Sequence, residues 1–104
     1  MPSLHEIRDA LMNDIALRDG FTLRVDTYNN NVRIIILHSG EKYVCRIETL
    51  TKLREFTEQK EARIFKGRLQ LYKEEGLINI IAKGKVAGII DEAAFINCLD
   101  GLQW

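Results

Sequence analysis

Two histidines and two cysteines are the side chains of this sequence best suited to metal binding or nucleophilic chemistry. They lie far apart, with no paired spacing, at His5, His38, Cys45 and Cys98. A structural zinc site normally begins with a close pair of ligands, which this spacing does not supply. A nucleophilic dyad of His38 and Cys45 would lie on adjacent predicted strands, but no third residue is marked to orient the histidine. We therefore predict a non-enzymatic protein without catalytic residues, metal or cofactor.

Two short segments in which glycine separates basic residues form a second candidate site. They are Lys66-Gly67-Arg68 and Lys83-Gly84-Lys85, and clusters of this kind contact phosphates. The glycines do not form a P-loop or a dinucleotide-binding motif, because the second segment is predicted as a hairpin turn. These segments indicate nucleic-acid binding, which we keep as the alternative function. The side chains predicted for it are Arg24, Arg33, Lys60, Arg63, Lys66, Arg68, Lys83 and Lys85.

The length and charge of the chain limit the classes of function. Its 104 residues match the usual size of one domain, so we predict a single domain over residues 1–104. Its 15 basic and 15 acidic side chains cancel, so no whole-molecule field steers it to nucleic acid or to an anionic membrane. Two distant cysteines favour a reducing compartment, and no long apolar run marks a secretion signal or a membrane span. The expected location is the cytoplasm.

The first half of the chain is predicted to form a helix, three strands and a second helix, which carry the candidate residues of that half. A capping box of Ser3 and Glu6 begins a first helix that is predicted to reach about Leu17, with a shared apolar face of Leu4, Ile7, Leu11 and Ile15. Three antiparallel strands follow, one from Phe21 and two over 32–38 and 42–47, with asparagine and glycine turns between them. Thr49 then caps a second helix that ends near Gln59.

The second half repeats this plan. It is predicted to contain strands over 63–73 and 77–82, a third strand that ends at Ile90, and a last helix that Asp91 caps and Gly101 ends. We therefore predict an α+β fold of the order α-βββ-α-βββ-α, in which a βββα unit occurs twice, over residues 21–59 and 63–101. The antiparallel strands of the two similar halves form one sheet or two and pack with three helices.

The middle strand of each half carries more branched aliphatic side chains than one core needs. Ile34-Ile35-Ile36-Leu37 and Ile80-Ile81 place apolar side chains on both strand faces. One explanation is that both faces are covered within the fold. The other is a protein–protein interface opposite Phe21, because an aliphatic centre bordered by arginine and tyrosine is typical of such contacts. The residues predicted for this interface are Arg24, Tyr28, Arg33, Ile35, Leu37, Val44 and Arg46.

The order of elements and one local segment are similar to known domains. The segment Asp19-Gly20-Phe21-Thr22-Leu23-Arg24-Val25, followed by Tyr28 and Asn30, resembles the opening strand of the double-wing domain at the C-terminus of the phage middle-promoter transcription activator. That resemblance implies DNA contact by the concave sheet surfaces, with Arg24 and Arg33 as phosphate or base partners. The architecture also resembles the small dimeric secretion chaperones, which hold a partner polypeptide along their sheets.

These observations lead to one preferred function and one alternative. We predict a small binding or regulatory protein that contacts another protein, or a second copy of itself as a homodimer, through its strand face. An inhibitor or adaptor encoded by a phage or mobile element is one form of this function. The alternative is a nucleic-acid-binding transcription regulator of the double-wing type, whose affinity would fall steeply with salt.

Overall fold

The computed structural model describes residues 14–104, which form eight strands and two helices. The first half contains strands β1 to β4 and helix α1, in this order: Asp14–Ala16, Phe21–Tyr28, Asn31–His38, Glu41–Glu48 and Leu50–Glu58. The second half contains strands β5 to β8 and helix α2, in this order: Glu61–Ile64, Leu69–Glu74, Leu77–Ala82, Lys85–Asp91 and Glu92–Asp100. No helix in this part of the chain is long and apolar enough to cross a membrane.

The strands form two antiparallel sheets, each of which is a simple meander. Sheet 1 has the order β1-β2-β3-β4, and sheet 2 has the order β5-β6-β7-β8. The α+β fold class and the antiparallel pairing are therefore as predicted. Each sheet has four strands where the sequence predicts three in each half.

The two halves share their order of elements and also the position of an irregularity. The pairing register shifts after Ile36 of β3 in sheet 1 and after Ile80 of β7 in sheet 2. Each shift is a β-bulge, in which the last strand of the sheet contains one extra residue. The register leaves Tyr43 of β4 and Ala87 of β8 as the extra residues. Both bulges thus lie just after the turn that begins the last strand.

The turns between these strands have the backbone conformation that the sequence predicts. Both central residues have positive φ angles, with values of 51° and 66° at Asn29 and Asn30, and 52° and 86° at Ser39 and Gly40. Such turns match the right-handed twist of a two-stranded hairpin, and asparagine and glycine adopt them at the lowest cost. The turn at Lys83-Gly84 has the same pattern, with φ angles of 51° and 81°.

The core lies between the inner faces of the two sheets and the apolar faces of the two helices. Phe56 of α1 and Phe95 of α2 meet edge to face, with ring centroids 6.4 Å apart. One continuous cluster of buried residues includes side chains from both sheets and both helices. Thr49 caps α1 as predicted, because its side chain accepts a hydrogen bond from the Lys52 amide. Asp91 occupies the position before α2, as predicted, but its side chain makes no capping hydrogen bond.

One charged side chain is buried beside this core. Lys73 of β6 is only 3% exposed. Its ammonium group donates a hydrogen bond to the Thr57 carbonyl near the end of α1 and forms an ion pair with Glu92, at the start of α2, at 3.2 Å. Since buried charges need such partners, this lysine joins the end of one helix to the start of the other.

Two elements differ from the prediction. The sequence predicts a first helix that reaches about Leu17, but Asp14–Ala16 form β1 and pair with β2, so that Ile15 packs against the core from a strand. The earlier part of that predicted helix lies outside the described residues. The strand predicted over 63–73 is divided into β5 and β6, because the positive φ angles of Phe65 and Gly67, 73° and 95°, turn the chain between them.

Candidate interaction surfaces

The outer face of sheet 1 is where the sequence places an interface, and its arginines already have acidic partners. Arg24 donates to both carboxylate oxygens of Asp14 at 2.8 and 2.9 Å. Arg33 makes the same two-bond contact with Asp26 at 2.9 and 2.8 Å. These hydrogen bonds raise the pKa of each guanidinium group above its ordinary value. Two predicted phosphate or partner contacts are thus engaged within the sheet.

The aliphatic centre of the same face is covered. Ile35 pairs with Arg24 and therefore lies on the outer face, as does Leu37, yet these two side chains are only 7% and 8% exposed. Tyr28 and Ile47 are the large apolar side chains that stay exposed at the margin of this face. The predicted interface residues thus do not present an exposed aliphatic centre.

Val44 and Arg46 lie on the inner side of β4 and not on the predicted outer face. Val44 is paired with Ile36, which belongs to the core. The bulge at Tyr43 shifts the alternation of β4 by one residue, and such a shift exchanges the two faces of a strand. Cys45 lies on the outer face and is exposed for the same reason.

An exposed aliphatic surface lies on the outer face of sheet 2. We name it the β7–β8 patch, and it consists of Leu77, Ile81, Val86 and Ile89. In the register, Ile81 is opposite Val86, and Ile89 lies between Ile81 and Leu77 on the diagonal. Leu77, Val86 and Ile89 are 42%, 43% and 52% exposed. The patch therefore combines neighbouring apolar side chains with access to a partner.

Polar and aromatic groups border the β7–β8 patch on the side of β6. Tyr72 is opposite Asn79, and Gln70 is opposite Ile81. The Arg63 guanidinium lies 4.9 Å from the centre of the Tyr72 ring, and the Tyr72 hydroxyl donates to Glu61 at 2.8 Å. That hydrogen bond raises the pKa of the Tyr72 hydroxyl. An apolar centre with a rim of tyrosine, arginine and amide side chains is typical of protein–protein interfaces.

The sequence contains a signal for this patch that the prediction does not use. In β7 the side chains of Leu77, Asn79 and Ile81 alternate with buried ones, which is the pattern of a strand with one open face. In β8 the bulge at Ala87 interrupts the alternation, and the outward direction of Ile89 becomes clear only from the register.

The two ends of sheet 2 carry opposite charges. The basic end, at the β5–β6 loop and the β7–β8 turn, consists of the exposed side chains of Lys66, Arg68, Lys83 and Lys85. The acidic end, at the β6–β7 turn and the margins beside it, consists of the exposed side chains of Glu61, Glu74, Glu75 and Asp91. Lys60 is the cation beside the acidic end, where it lines an open pocket of about 320 Å³ with three of these glutamates. Among residues 14–104, no side chain at either end forms an ion pair within 4.0 Å.

Backbone contacts hold the two glycine-containing basic segments together. The Lys83 amide donates to the Arg68 carbonyl at 2.7 Å. Arg46 approaches the same region from β4, since its guanidinium donates to the Lys66 carbonyl at 3.3 Å and lies 4.9 Å from the centre of the Phe65 ring. Four of the predicted nucleic-acid contacts are thus brought together, whereas Arg24, Arg33, Lys60 and Arg63 lie elsewhere.

The histidine and cysteine side chains do not form a reactive site in the described part of the chain. His38 packs beside Phe21, with ring centroids 4.5 Å apart, on the inner side of sheet 1, whereas Cys45 is on the outer face opposite Ile35. The two residues therefore point to opposite faces and form no dyad. Cys98 is half-buried, and burial, together with the charge of Asp14, raises the pKa of its thiol. Residues 14–104 contain no group of three or more potential metal ligands.

Comparisons with protein-family models, with curated proteins and with solved structures found no match to this chain.

Proposed function

We propose that this protein binds another polypeptide through the β7–β8 patch. It would act as an inhibitor or adaptor, whose effect comes from binding its partner and not from catalysis. The observation that carries this proposal is the group of exposed aliphatic side chains, Leu77, Val86 and Ile89, on one face of a paired and bulged sheet. Scattered apolar side chains are ordinary on protein surfaces, but neighbouring ones with a polar rim mark interaction sites.

The location differs from the predicted interface, but the kind of surface is the same. The sequence predicts an aliphatic centre with arginine and tyrosine at its border on sheet 1. There, Ile35 and Leu37 are covered, and Arg24 and Arg33 are paired with carboxylates. On sheet 2 the aliphatic centre is exposed, so a partner would remove apolar surface from water at that face.

Site-specific photo-crosslinking tests this proposal. A photoreactive amino acid at position 89, introduced in the native cells, is expected to give a discrete crosslinked product. The matched control is the same amino acid at position 47, because Ile47 is a comparably exposed isoleucine on the edge strand of sheet 1. The product at position 89 should disappear when Leu77→Asp is added. Equal labelling at both positions, or no product at position 89, would overturn the proposal.

A second candidate function is nucleic-acid binding of the double-wing type, and one observation favours it. The hydrogen bond between Lys83 and Arg68 gathers Lys66, Arg68, Lys83 and Lys85 at one end of sheet 2, where exposed cations can contact phosphates. Arg24 and Arg33 contribute less to this function, because each already forms a two-bond contact with a carboxylate.

Anisotropy titrations with mixed-sequence DNA and RNA test this candidate at about 50 and about 200 mM salt. Phosphate contacts from the basic end predict affinity that falls steeply with salt and is lost in the Arg68→Glu/Lys85→Glu variant. The Arg24→Glu variant, whose change lies on sheet 1, should bind nearly as well as the unmodified protein. Absence of binding at the lower salt concentration would exclude the candidate.

A further inference from the structure

We infer that the loop between β5 and β6, residues 65–68, binds a phosphate group through its backbone amides and the side chains of Lys66 and Arg68. This inference goes beyond the proposed protein contact, because the loop is not part of the β7–β8 patch. It rests on the second candidate function only in so far as a nucleic acid is the source of the phosphate. A small phosphorylated molecule offers the same chemistry.

The carbonyl groups of this loop already accept hydrogen bonds, whereas its amides are free. The three accepting carbonyls and their donors are Lys66 with the Arg46 guanidinium at 3.3 Å, Gly67 with the Gln70 side chain at 3.2 Å, and Arg68 with the Lys83 amide at 2.7 Å. The amides of Lys66, Gly67 and Arg68 meet no acceptor within residues 14–104. Since backbone polar groups need partners, the loop offers hydrogen-bond donors to a ligand, and successive free amides of this kind bind anions.

The loop after β1 shows how such amides are otherwise used. In both loops the last carbonyl, at Gly20 and at Arg68, accepts the amide of the neighbouring hairpin turn, so the two loops correspond position by position. At the position that corresponds to Lys66, the Arg18 amide donates to the Ala87 carbonyl of the other sheet at 3.2 Å. The Lys66 amide has no such acceptor in the described part of the chain. The second loop therefore keeps a donor that the first loop uses to join the sheets.

The backbone of the β5–β6 loop is fixed in an uncommon conformation and is accessible. Phe65 has a φ angle of 73°, which is rare for a large side chain, and Gly67 has one of 95°. Packing holds Phe65, since it is buried and the Arg46 guanidinium lies 4.9 Å from the centre of its ring. At Gly67, apart from its chain neighbours, no atom lies within 4 Å of the place that a Cβ atom would take. A ligand can therefore approach this backbone closely, and strained backbone is concentrated at ligand sites.

The charges of the loop favour a phosphate over other anions. Lys66 and Arg68 are exposed, and within residues 14–104 neither forms an ion pair. Lys83 is not counted with them, because its ammonium group lies 4.2 Å from the centre of the Tyr43 ring. A phosphate has more acceptor oxygens than a carboxylate, so it can accept hydrogen bonds from the amides and from both side chains together.

Amide NMR spectra of the full chain, recorded during titration with inorganic phosphate at constant ionic strength and pH, test the inference. The signals of the Lys66, Gly67 and Arg68 amides should shift saturably, whereas the paired Arg18 amide should not respond. Lys66→Gln/Arg68→Gln should weaken phosphate binding by about tenfold or more, because charge-assisted hydrogen bonds are lost. Arg18→Gln, in the corresponding loop, is the matched control and should leave binding unchanged. Both altered side chains are exposed, so the remaining signals of the double variant should show the same fold.

A short oligonucleotide without terminal phosphates distinguishes the two sources of the ligand, because it contains phosphodiester groups only. If it shifts the same three amides and competes with inorganic phosphate, the nucleic-acid backbone is a ligand of the loop and the second candidate function is supported. If inorganic phosphate shifts these amides and the oligonucleotide does not, the phosphate site stands and the second candidate function fails.

Three results would contradict the phosphate site. The first is a set of loop shifts that do not saturate, and the second is phosphate binding that persists unchanged in Lys66→Gln/Arg68→Gln. The third is oligonucleotide binding that leaves the amides of residues 66–68 unshifted, in which case the second candidate function stands without this site. None of these results affects the proposed protein contact, which the crosslink from position 89 tests separately.

Discussion

Leu17 packs against Gly88 so closely that a methyl group on Gly88 would lie 2.8 Å from the Leu17 Cβ atom. The contact joins the loop after β1 to the last strand of sheet 2. The loop after β5 makes the corresponding approach to sheet 1, where Arg46 of β4 lies over Phe65 and donates to the Lys66 carbonyl. In each half, the loop after the first strand therefore contacts the last strand of the other half, and these two contacts join the sheets.

Gly88→Ala should lower the free energy of unfolding by about 1–3 kcal/mol, because the added methyl group collides with Leu17 in a tightly packed position. Gly101→Ala is the matched control. Like Gly88, Gly101 lacks a positive φ angle, and the nearest atom to an added methyl group is 3.3 Å away. Its change should stay within about 1 kcal/mol. Urea denaturation measures both values, and equal losses would show that Leu17 does not limit the space at position 88.

Glu92→Gln should destabilise the protein more than Lys73→Met does. Removal of the lysine leaves Glu92, whose side chain is 31% exposed and can be hydrated, whereas removal of the carboxylate leaves a cation whose side chain is only 4% exposed. We expect losses of about 1–2 kcal/mol for Lys73→Met and about 2–4 kcal/mol for Glu92→Gln. Chemical denaturation at neutral pH measures the two losses. In the double variant, the loss should be smaller than the sum of the two, and a strictly additive result would argue against the ion pair.

The strand order could largely be predicted from the sequence, because turns and alternation are local signals. Asn29-Asn30 and Ser39-Gly40 mark hairpin turns that the structure contains, and Thr49 marks the start of α1. β1 could not be predicted in this way. It has three residues, and its Ile15 also fits the period of a helix, so that only the pairing with Leu23 of β2 decides its conformation.

The two bulges help to explain why the predicted interface residues and the exposed β7–β8 patch lie on different sheets. A bulge leaves no mark in the residue types of a strand, but it reverses the direction of the side chains beyond it. In β4 it turns Val44 inward and Cys45 outward, and in β8 it turns Ile89 outward. Alternation alone likewise does not predict that Ile35, on the outer face, is only 7% exposed.

Cys45 should react with a thiol reagent well before Cys98 in the folded protein at about pH 8. Cys45 is exposed, whereas burial first, and the charge of Asp14 second, raise the pKa of the Cys98 thiol and so reduce its thiolate fraction. Absorbance during reaction with a chromogenic disulfide should show one fast and one slow thiol, and two fast thiols in denaturant. Cys45→Ser should remove the fast phase, and persistence of that phase would contradict the assignment.

The raised pKa of the Cys98 thiol also makes the free energy of unfolding depend on pH. A thiol with a raised pKa in the folded state contributes stability below the pKa of the unfolded thiol, about 8.5, and loses it as the pH rises through the folded pKa. Between pH 7 and 10, Cys98→Ser should therefore lose less of its free energy of unfolding than the unmodified protein does. Identical pH profiles would show that Cys98 does not titrate differently on folding.

Aspartate substitutions at three isoleucine and valine positions separate the core from the interaction surface. Ile35 and Val44 are each only 7% exposed, so Ile35→Asp and Val44→Asp place a carboxylate among apolar atoms and should unfold the protein or cost several kcal/mol. Ile89→Asp changes a side chain that is 52% exposed and should alter the free energy of unfolding by less than about 1 kcal/mol. Thermal unfolding followed by circular dichroism distinguishes these cases. A folded, stable Ile35→Asp variant that loses association would return the interface to sheet 1, because the face around Ile35 would then be a binding surface and not a covered part of the fold.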